Sequence, residues 1–264
     1  MFGVVNKIIN FNFSFFDAPT LWAFGFQEPA TPVMEGIDNF HSDLVFFMVV
    51  ICTFVFSLLF HTLYYFNSEK NKKVISFKEH AGLEIVWTII PTLILLVIVF
   101  PSLALLFATE DYIKKPYSTY HIIGRQWYWT YENRDSWIID SDMKTHKFDS
   151  YMVPTNNLYE GEFRNLKVDK PLVVPAYVPI RLLVTSSDVI HSWALPSAGV
   201  KIDACPGRLN QIFVTFKRAG RFYGQCSEIC GVNHALMPIE VVALPPESYV
   251  LFLRDLFNIL KNEE

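Results

Sequence analysis

The distribution of apolar residues divides the chain into two parts. Two runs, from Leu44 to Phe66 and from Ile85 to Thr109, contain no Asp, Glu, Lys or Arg. Each exceeds the roughly 20 residues that a helix needs to cross a hydrocarbon core about 30 Å thick. The pattern predicts two transmembrane helices, and two buried helices of a large soluble protein are the alternative.

The second run contains Pro91 and Pro101. Membrane helices tolerate proline where neighbouring groups satisfy the freed carbonyl, so these residues predict a kink rather than a break. The loop between the runs is rich in lysine: Lys70, Lys72, Lys73 and Lys78. By the positive-inside rule, this loop lies on the cytoplasmic or matrix side, and everything after Thr109 lies on the outer face.

Beyond Tyr117, apolar residues occur in short runs broken by Pro, Gly, Asn and Asp. Leu172–Val174, Ile180–Val184 and Gln211–Phe216 are examples. Short strands with frequent turn signals predict an antiparallel sandwich or barrel. After Pro245 and Pro246, one helical face is predicted to carry Val250, Leu253, Leu256, Phe257 and Leu260.

These patterns predict four parts. They are an outer-face segment (1–39), a transmembrane hairpin (40–110), an all-β domain (111–246) and a C-terminal helix with its tail (247–264).

Composition agrees with a chain that is partly in lipid and partly in water. Hydrophobic residues make up 52%, charged residues only 18%, yet the mean hydropathy of +0.26 is modest. The net charge of −4 gives no basic face for nucleic acid, so no nucleic-acid partner is expected.

The strongest local chemical signal is a cluster of soft donors near the C-terminus. Cys226 and Cys230 are followed by His234 and Met237. Thiolates, imidazole and a thioether together favour copper over magnesium, calcium or manganese. The alternatives are a disulfide, a zinc site completed by a distant histidine, and a methionine that only fills the core.

A second histidine has to come from elsewhere in the chain. His191 is the best candidate, since it follows a strand-like run and precedes a turn at Pro196, and His121 and His146 are its rivals. The second cysteine exceeds the needs of a mononuclear blue-copper site. Two bridging thiolates can hold two ions close together, so a binuclear site is the natural extension. Cys52 and Cys205 have no partner at useful spacing and are assigned to no metal.

Several motifs together resemble cytochrome c oxidase subunit II, from about Asp17 to Pro246. They are the hairpin, Gly-Arg-Gln-Trp-Tyr-Trp at 124–129, Val-Ile-His-Ser-Trp at 189–193, Asp-Ala-Cys-Pro-Gly-Arg-Leu-Asn-Gln at 203–211 and Gly-Gln-Cys-Ser-Glu-Ile-Cys-Gly-Val-Asn-His at 224–234. The resemblance implies a cupredoxin-like sandwich that holds a binuclear copper A centre. Its ligands would be His191, Cys226, the backbone carbonyl of Glu228, Cys230, His234 and Met237.

The resemblance also implies roles around the centre. Trp127 would lie exposed over the copper and receive electrons from cytochrome c. On a predicted strand it would share a face with Trp129, and both could equally be core or interface aromatics. The Glu228 side chain would bind magnesium at the boundary with subunit I. Asp203 and Arg208 match residues near this boundary, and a plain ion pair or turn would also explain these two residues.

Glu84 opens the second apolar run on the predicted inner side. The matching glutamate in the family marks the entrance of a proton path into subunit I. A solvated carboxylate at a helix N-terminus, favoured by the helix dipole, is the simpler interpretation.

The expected partner, cytochrome c, is basic, so an acidic outer surface is expected. From Glu110 onward, however, the sequence has eighteen Asp and Glu and seventeen Lys and Arg, so this part is nearly neutral. The local acids are Glu132, Asp135, Asp140, Asp142, Asp169 and Asp188, of which the last two match acidic family positions.

The implied function is electron entry into an aa3-type oxidase, with haem and oxygen reduction in subunit I coupled to proton translocation. The complete ligand set argues against the quinol-oxidase counterpart, and the chain is too short for nitrous oxide reductase. A membrane-tethered copper carrier or zinc-stabilised module is the rival from another class.

The first 16 residues make a poor secretory signal, and the chain is rich in Phe, Ile, Asn, Lys and Tyr. Both features favour the mitochondrial inner membrane, with the copper domain in the intermembrane space. The bacterial plasma membrane, with that domain in the periplasm, is the alternative.

Overall fold

The computed structural model describes residues 16–73, 76–110, 113, 115–133 and 146–262. The chain divides into two compact units. One consists of Gly36–Ala108, and the other combines Met1–Glu35 with Thr109–Glu264. The first is built from two long helices and the second around a β-sandwich.

The two helices are α1, Pro32–Tyr65, and α2, Ala81–Thr109. Both are long and apolar enough to cross a membrane, by length and composition alone. The most apolar window of each has no buried residue in the structure, as expected of side chains that meet lipid or other subunits. Helix α2 runs through Pro91 and Pro101 without a break, as predicted.

Helix α1 begins well before the apolar run at Leu44. Thr31 caps it, since its Oγ1 accepts a hydrogen bond of 3.1 Å from the Met34 N–H. Pro32 occupies the first helical position, where its fixed φ is favourable. Glu35 lies in the first turn, where the helix dipole favours an acid. Hydropathy alone does not reveal this polar start, because it is set by capping.

The second unit is a sandwich of two sheets. The strands are β1 Phe16–Asp17, β2 Ser118–Arg125, β3 Tyr128–Asn133, β4 His146–Ser150, β5 Leu172–Pro175, β6 Pro179–Ser186, β7 His191–Leu195, β8 Val200–Ala204, β9 Asn210–Thr215, β10 Gly220–Cys226 and β11 Pro238–Leu244. One sheet has the strand order β5-β11-β10-β7-β8, with β1 added beside β10, and the other has the order β4-β3-β2-β6-β9.

The predicted antiparallel pairing is only partly correct. Strands β2 and β6 pair in parallel, as do β5 with β11 and β1 with β10. Apolar alternation reports which face of a strand is buried and carries no information on the direction of its neighbour. The three runs predicted as strands do form β5, β6 and β9, and β6 alternates between buried and half-buried positions along its length.

The core lies between the sheets and extends to the cysteine-rich loop. Trp129, Trp193 and Phe222 are among its fully buried side chains. Cys226, Cys230 and Met237 belong to the same buried cluster. Because interiors pack densely, donors that belong to this core are held rigidly.

The C-terminal helix, α3, is Pro246–Asn262. The face that α3 buries differs from the predicted apolar face: Tyr249 is buried, whereas Val250, which was predicted on that face, is 53% exposed. Phe252 and Leu253 pack with Tyr249 against the sandwich. The Tyr249 hydroxyl lies 2.6 Å from that of Tyr120, so the ring is buried without leaving its polar end unpaired. The side chains of Phe257 and Leu260 lie outside the described set.

Candidate metal centre

Two neighbouring strands bring the predicted donors together. His191 begins β7 and Cys226 ends β10. These strands are antiparallel, with Cys226 opposite Trp193, so His191 lies close to the thiol at the end of β10. The chain then forms the donor loop, residues 227–237, before β11 begins at Pro238.

The donor atoms form a chain with the two thiols at its centre. The Sγ atoms of Cys226 and Cys230 lie 4.0 Å apart. The Cys226 Sγ is 4.0 Å from His191 Nδ1, whereas the Cys230 Sγ is 3.5 Å from His234 Nδ1. The Met237 Sδ is also 3.5 Å from the Cys230 Sγ. Each thiol therefore has a histidine beside it.

The carbonyl of Glu228 completes the arrangement. It accepts a contact of 3.4 Å from the Cys226 thiol, so its oxygen faces the donors. Every donor named from the sequence is thus brought to one place. Neither His121 nor His146 belongs to the compact donor cluster found among the described residues, which consists of His191, Cys226 and Cys230.

The donor set suits copper. Thiolates, imidazoles and a thioether are soft or borderline ligands, and the ligand atoms of His191, Cys226 and Cys230 all lie within 4.8 Å of one another. Met237 is 1% exposed with its sulfur facing a thiol, and a thioether is a ligand typical of copper. The Sγ atoms of the two cysteines lie 4.0 Å apart with no bond between them in the structure.

The two thiols do not ionise alike. Burial raises the pKa of Cys226, but its contacts with His191 and with backbone groups outweigh burial, so the pKa lies below its ordinary value. Burial and the negative charge of Cys226 both raise the pKa of Cys230. Two thiolates so close together repel, and cations bound between them would stabilise both.

Asp188 fixes the orientation of the His191 ring. Its Oδ1 lies 2.8 Å from His191 Nε2, the nitrogen that faces away from Cys226. Burial raises the pKa of Asp188, but hydrogen bonds from His191 and from the backbone N–H groups of Gln126 and Val189 outweigh it, so the pKa lies below its ordinary value. Burial lowers the pKa of His191, and its bonds to Cys226 and Asp188 raise it above normal.

Trp127 lies in the turn between β2 and β3 rather than on a strand. Its Nε1 donates a hydrogen bond of 3.3 Å to the Cys230 carbonyl, and the half-buried ring packs against the core. Trp129 is fully buried, donates to the Met237 carbonyl and meets the His191 ring edge-on. The prediction that Trp127 lies on a strand was wrong, because residues 126 and 127 form a turn before β3 begins at Tyr128.

Glu228 points its side chain to the surface next to the donors. Asp203 and Arg208 line an open surface hollow with Lys201 and Cys205. No ion pair joins Asp203 and Arg208 among the ion pairs of the described residues, and Arg208 instead takes part in a turn with its N–H bonded to the Cys205 carbonyl.

Glu84 lies in the first turn of α2. Its Oε1 accepts a long bond of 3.4 Å from the His80 N–H, which is the geometry of the simpler helix-terminus interpretation. The structure therefore assigns Glu84 a capping contact, and a proton role remains a prediction.

The described acids that were expected to bind a basic partner are buried or make contacts within the protein. Glu132 is 9% exposed. Asp169 accepts backbone hydrogen bonds from Tyr151 and Lys170, and Asp188 is engaged with His191. Asp135, Asp140 and Asp142 lie outside the described residues.

Comparisons with known proteins decide the family. A family model for the periplasmic domain of cytochrome c oxidase subunit II matches residues 118–244, and the model for its transmembrane domain matches residues 19–105. The chain belongs to the cytochrome c oxidase subunit II family. The transmembrane hairpin and the copper-binding sandwich predicted from sequence are therefore those of this family.

Individual relatives agree along nearly the whole chain. Cytochrome c oxidase subunit 2 of Phytophthora megasperma is 50% identical over 96% of this chain and 94% of its own. A mitochondrial subunit 2 of Vigna unguiculata is 48% identical over 88% of this chain and 61% of its own length. The solved periplasmic domain of subunit II from Bradyrhizobium japonicum is 40% identical over 55% of this chain and 96% of its own, with a TM-score of 0.47.

Two residues of this subunit II site were not singled out from the sequence. The Gln126 side chain donates a hydrogen bond of 2.8 Å to the Cys230 carbonyl. A Cβ at Gly124 would lie 2.8 Å from His191 Cδ2, so this position leaves room for the ligand ring. Both belong to the motif at 124–129, which was the available signal, but only the fold shows what they touch.

Proposed function

We propose that the chain is the electron-entry subunit of a cytochrome c oxidase. It accepts electrons one at a time from reduced cytochrome c at a binuclear copper A centre and passes them to haem in subunit I. There oxygen is reduced to water, coupled to proton translocation. Membership of the subunit II family supports a place in an oxidase, and the arrangement of the donors supports the electron-entry role.

One observation carries the proposal: two adjacent buried thiols lie with a histidine beside each. Cys226 and Cys230 lie 4.0 Å apart between His191 and His234, with the Met237 thioether beside Cys230. These five side chains would hold the copper, which would supply one-electron transfer at this place. The chain's part is to hold the donors in fixed positions on a packed core.

Trp127 is suited to electron entry. Its ring is half-buried over the donor loop, and its N–H is bonded to the carbonyl of Cys230. Gly231 lies directly beneath it, since a Cβ there would be 3.1 Å from the Trp127 ring. One side of the ring system thus reaches a ligand residue while part of it stays accessible to a partner.

Two further roles are proposed on the family resemblance. The exposed carboxylate of Glu228 suits magnesium at the boundary with subunit I, because hard cations prefer oxygen ligands. Glu84 is proposed as the entrance of a proton path, in addition to its contact with the His80 N–H.

We place the chain in the mitochondrial inner membrane, with the copper domain in the intermembrane space. The mitochondrial relative from Vigna unguiculata supports the compartment. The lysine-rich loop between the two apolar runs supports the orientation, since positive loops stay on the inner side.

The test is the rate of electron entry in the assembled oxidase. Replacement of Trp127 by alanine is expected to slow electron transfer from reduced cytochrome c at least about tenfold, or about 1.4 kcal/mol of barrier, with the copper spectrum unchanged. Tyr159→Ala is the matched control, because Tyr159 is a 77% exposed aromatic elsewhere in the outer domain. Equal rates in the two variants would remove Trp127 from the path.

A further inference from the structure

Both carboxylate oxygens of Asp188 make contacts within the protein, which a surface acid that only docks a partner would not require. Asp188 lies in the turn that joins β6 to β7, and its carboxylate is 31% exposed. The Oδ1 atom lies 2.8 Å from His191 Nε2 and also accepts the Val189 N–H at 2.7 Å. The Oδ2 atom accepts the Gln126 N–H at 2.7 Å. Both oxygens therefore face the protein.

The first of these contacts selects the tautomer of the ligand histidine. An ionised carboxylate only accepts hydrogen bonds, so Nε2 of His191 carries the hydrogen. The lone pair then lies on Nδ1, the atom 4.0 Å from the Cys226 thiol. A carboxylate in this position also makes the ring a stronger donor to a metal ion.

The second contact reaches the electron-entry turn. Gln126 precedes Trp127, and its backbone is held by Asp188 while its side chain donates to the Cys230 carbonyl. The Trp127 ring donates to the same carbonyl. Asp188 thus connects His191, which lies beside Cys226, to the turn at residues 126–127. That turn is itself hydrogen-bonded to the carbonyl of Cys230.

We propose that Asp188 is a positioning residue that fixes both His191 and the Trp127 turn, and that its negative charge lowers the reduction potential of the bound copper. This rests on the proposed function. The charge favours the oxidised site, which is the more positive of the two redox states. Removing it therefore raises the potential, and loosening the turn slows electron entry.

The primary experiment compares Asp188→Asn with the unaltered chain in the assembled oxidase. Asparagine keeps one acceptor oxygen and the shape but removes the charge. The expected result is a higher copper reduction potential in a redox titration and slower electron entry, with the KM for cytochrome c unchanged. Asp188→Ala also removes the acceptor and is expected to weaken copper binding by about 10–100-fold.

Asp149→Asn is the matched control. The Asp149 Oδ1 accepts a hydrogen bond of 2.7 Å from Thr130 Oγ1, and Asp149 has no described contact with a donor residue. Its potential and rate are expected to match those of the unaltered oxidase. A raised, salt-dependent KM with an unchanged potential in Asp188→Asn would mean a docking acid and overturn the proposal, as would no change at all.

A second measurement separates this proposal from the proposed function. In the metal-free full chain labelled with [15N]histidine, nitrogen shifts report which His191 nitrogen carries the hydrogen. Hydrogen on Nε2 in the unaltered chain, and a mixture of tautomers in Asp188→Ala, is expected. Identical shifts in the two would overturn the positioning role whether or not the chain binds copper. If the unaltered chain carries the hydrogen on Nε2 of His191 but binds no copper, the proposed function and the effect on the reduction potential are both contradicted. Only the role of Asp188 in orienting His191 would then stand.

Discussion

At the scale of single residues, two glycines determine how closely rings approach the donors. Gly124 leaves room for the His191 ring, and Gly231 does the same for Trp127. Gly231 also has a φ of 124°, a conformation that other residues rarely adopt. The donors themselves could be predicted from their chemistry, whereas these contacts could not, because a glycine in a motif does not show what lies against it.

Replacement of Gly124 by alanine is expected to displace the His191 ring. The new Cβ would lie 2.8 Å from His191 Cδ2, and such overpacking costs about 1–3 kcal/mol. Less copper per chain and an altered copper spectrum should follow, measured by metal analysis and absorbance. Gly25→Ala is the control, since nothing lies within 4 Å of its Cβ position. Unchanged copper content and spectrum in Gly124→Ala would contradict the close approach.

At the scale of elements, the ends of β7 and β10 place the centre, and β11 returns the chain behind it. The sequence predicted individual strands well because burial leaves a period-2 pattern. It predicted neither the parallel pairing of β2 with β6 nor the rotation of α3 toward Tyr249. Those features depend on which element packs alongside, which local periodicity does not encode.

Strand β11 also carries a buried acid that ties several elements together. The Glu240 side chain is fully buried, bonded to Arg221 on β10 at 2.6 Å and to Lys167 at 3.3 Å. It also accepts the Val168 N–H. Removal of one partner from a buried ion pair typically costs about 3–5 kcal/mol, because the remaining charge is left uncompensated.

Glu240→Ala is therefore expected to destabilise the sandwich by about that 3–5 kcal/mol, measured by denaturant unfolding of the outer domain within the full chain. Glu35→Ala is the control, since Glu35 pairs with Lys217 at the surface and is expected to cost about 1 kcal/mol at most. If both variants unfold at the same denaturant concentration, Glu240 does not have this role.

At the scale of the whole molecule, the modest hydropathy average is the sum of two different units. Helices α1 and α2 carry the apolar excess, and the sandwich carries a nearly neutral balance of charges and the donors. A neutral outer domain means that recognition of a basic partner would have to be local. Only some of the candidate acids are described, and those described are engaged in contacts within the protein.

The metal content of the purified copper-loaded chain, together with its electron paramagnetic resonance spectrum, tests directly whether the donors hold a binuclear copper site. The donor geometry predicts two coppers per chain and hyperfine splitting from an unpaired electron shared between both nuclei. Cys226→Ser is expected to abolish that sharing. One zinc per chain, no bound metal, or a single copper whose spectrum survives in Cys226→Ser would contradict a binuclear copper site.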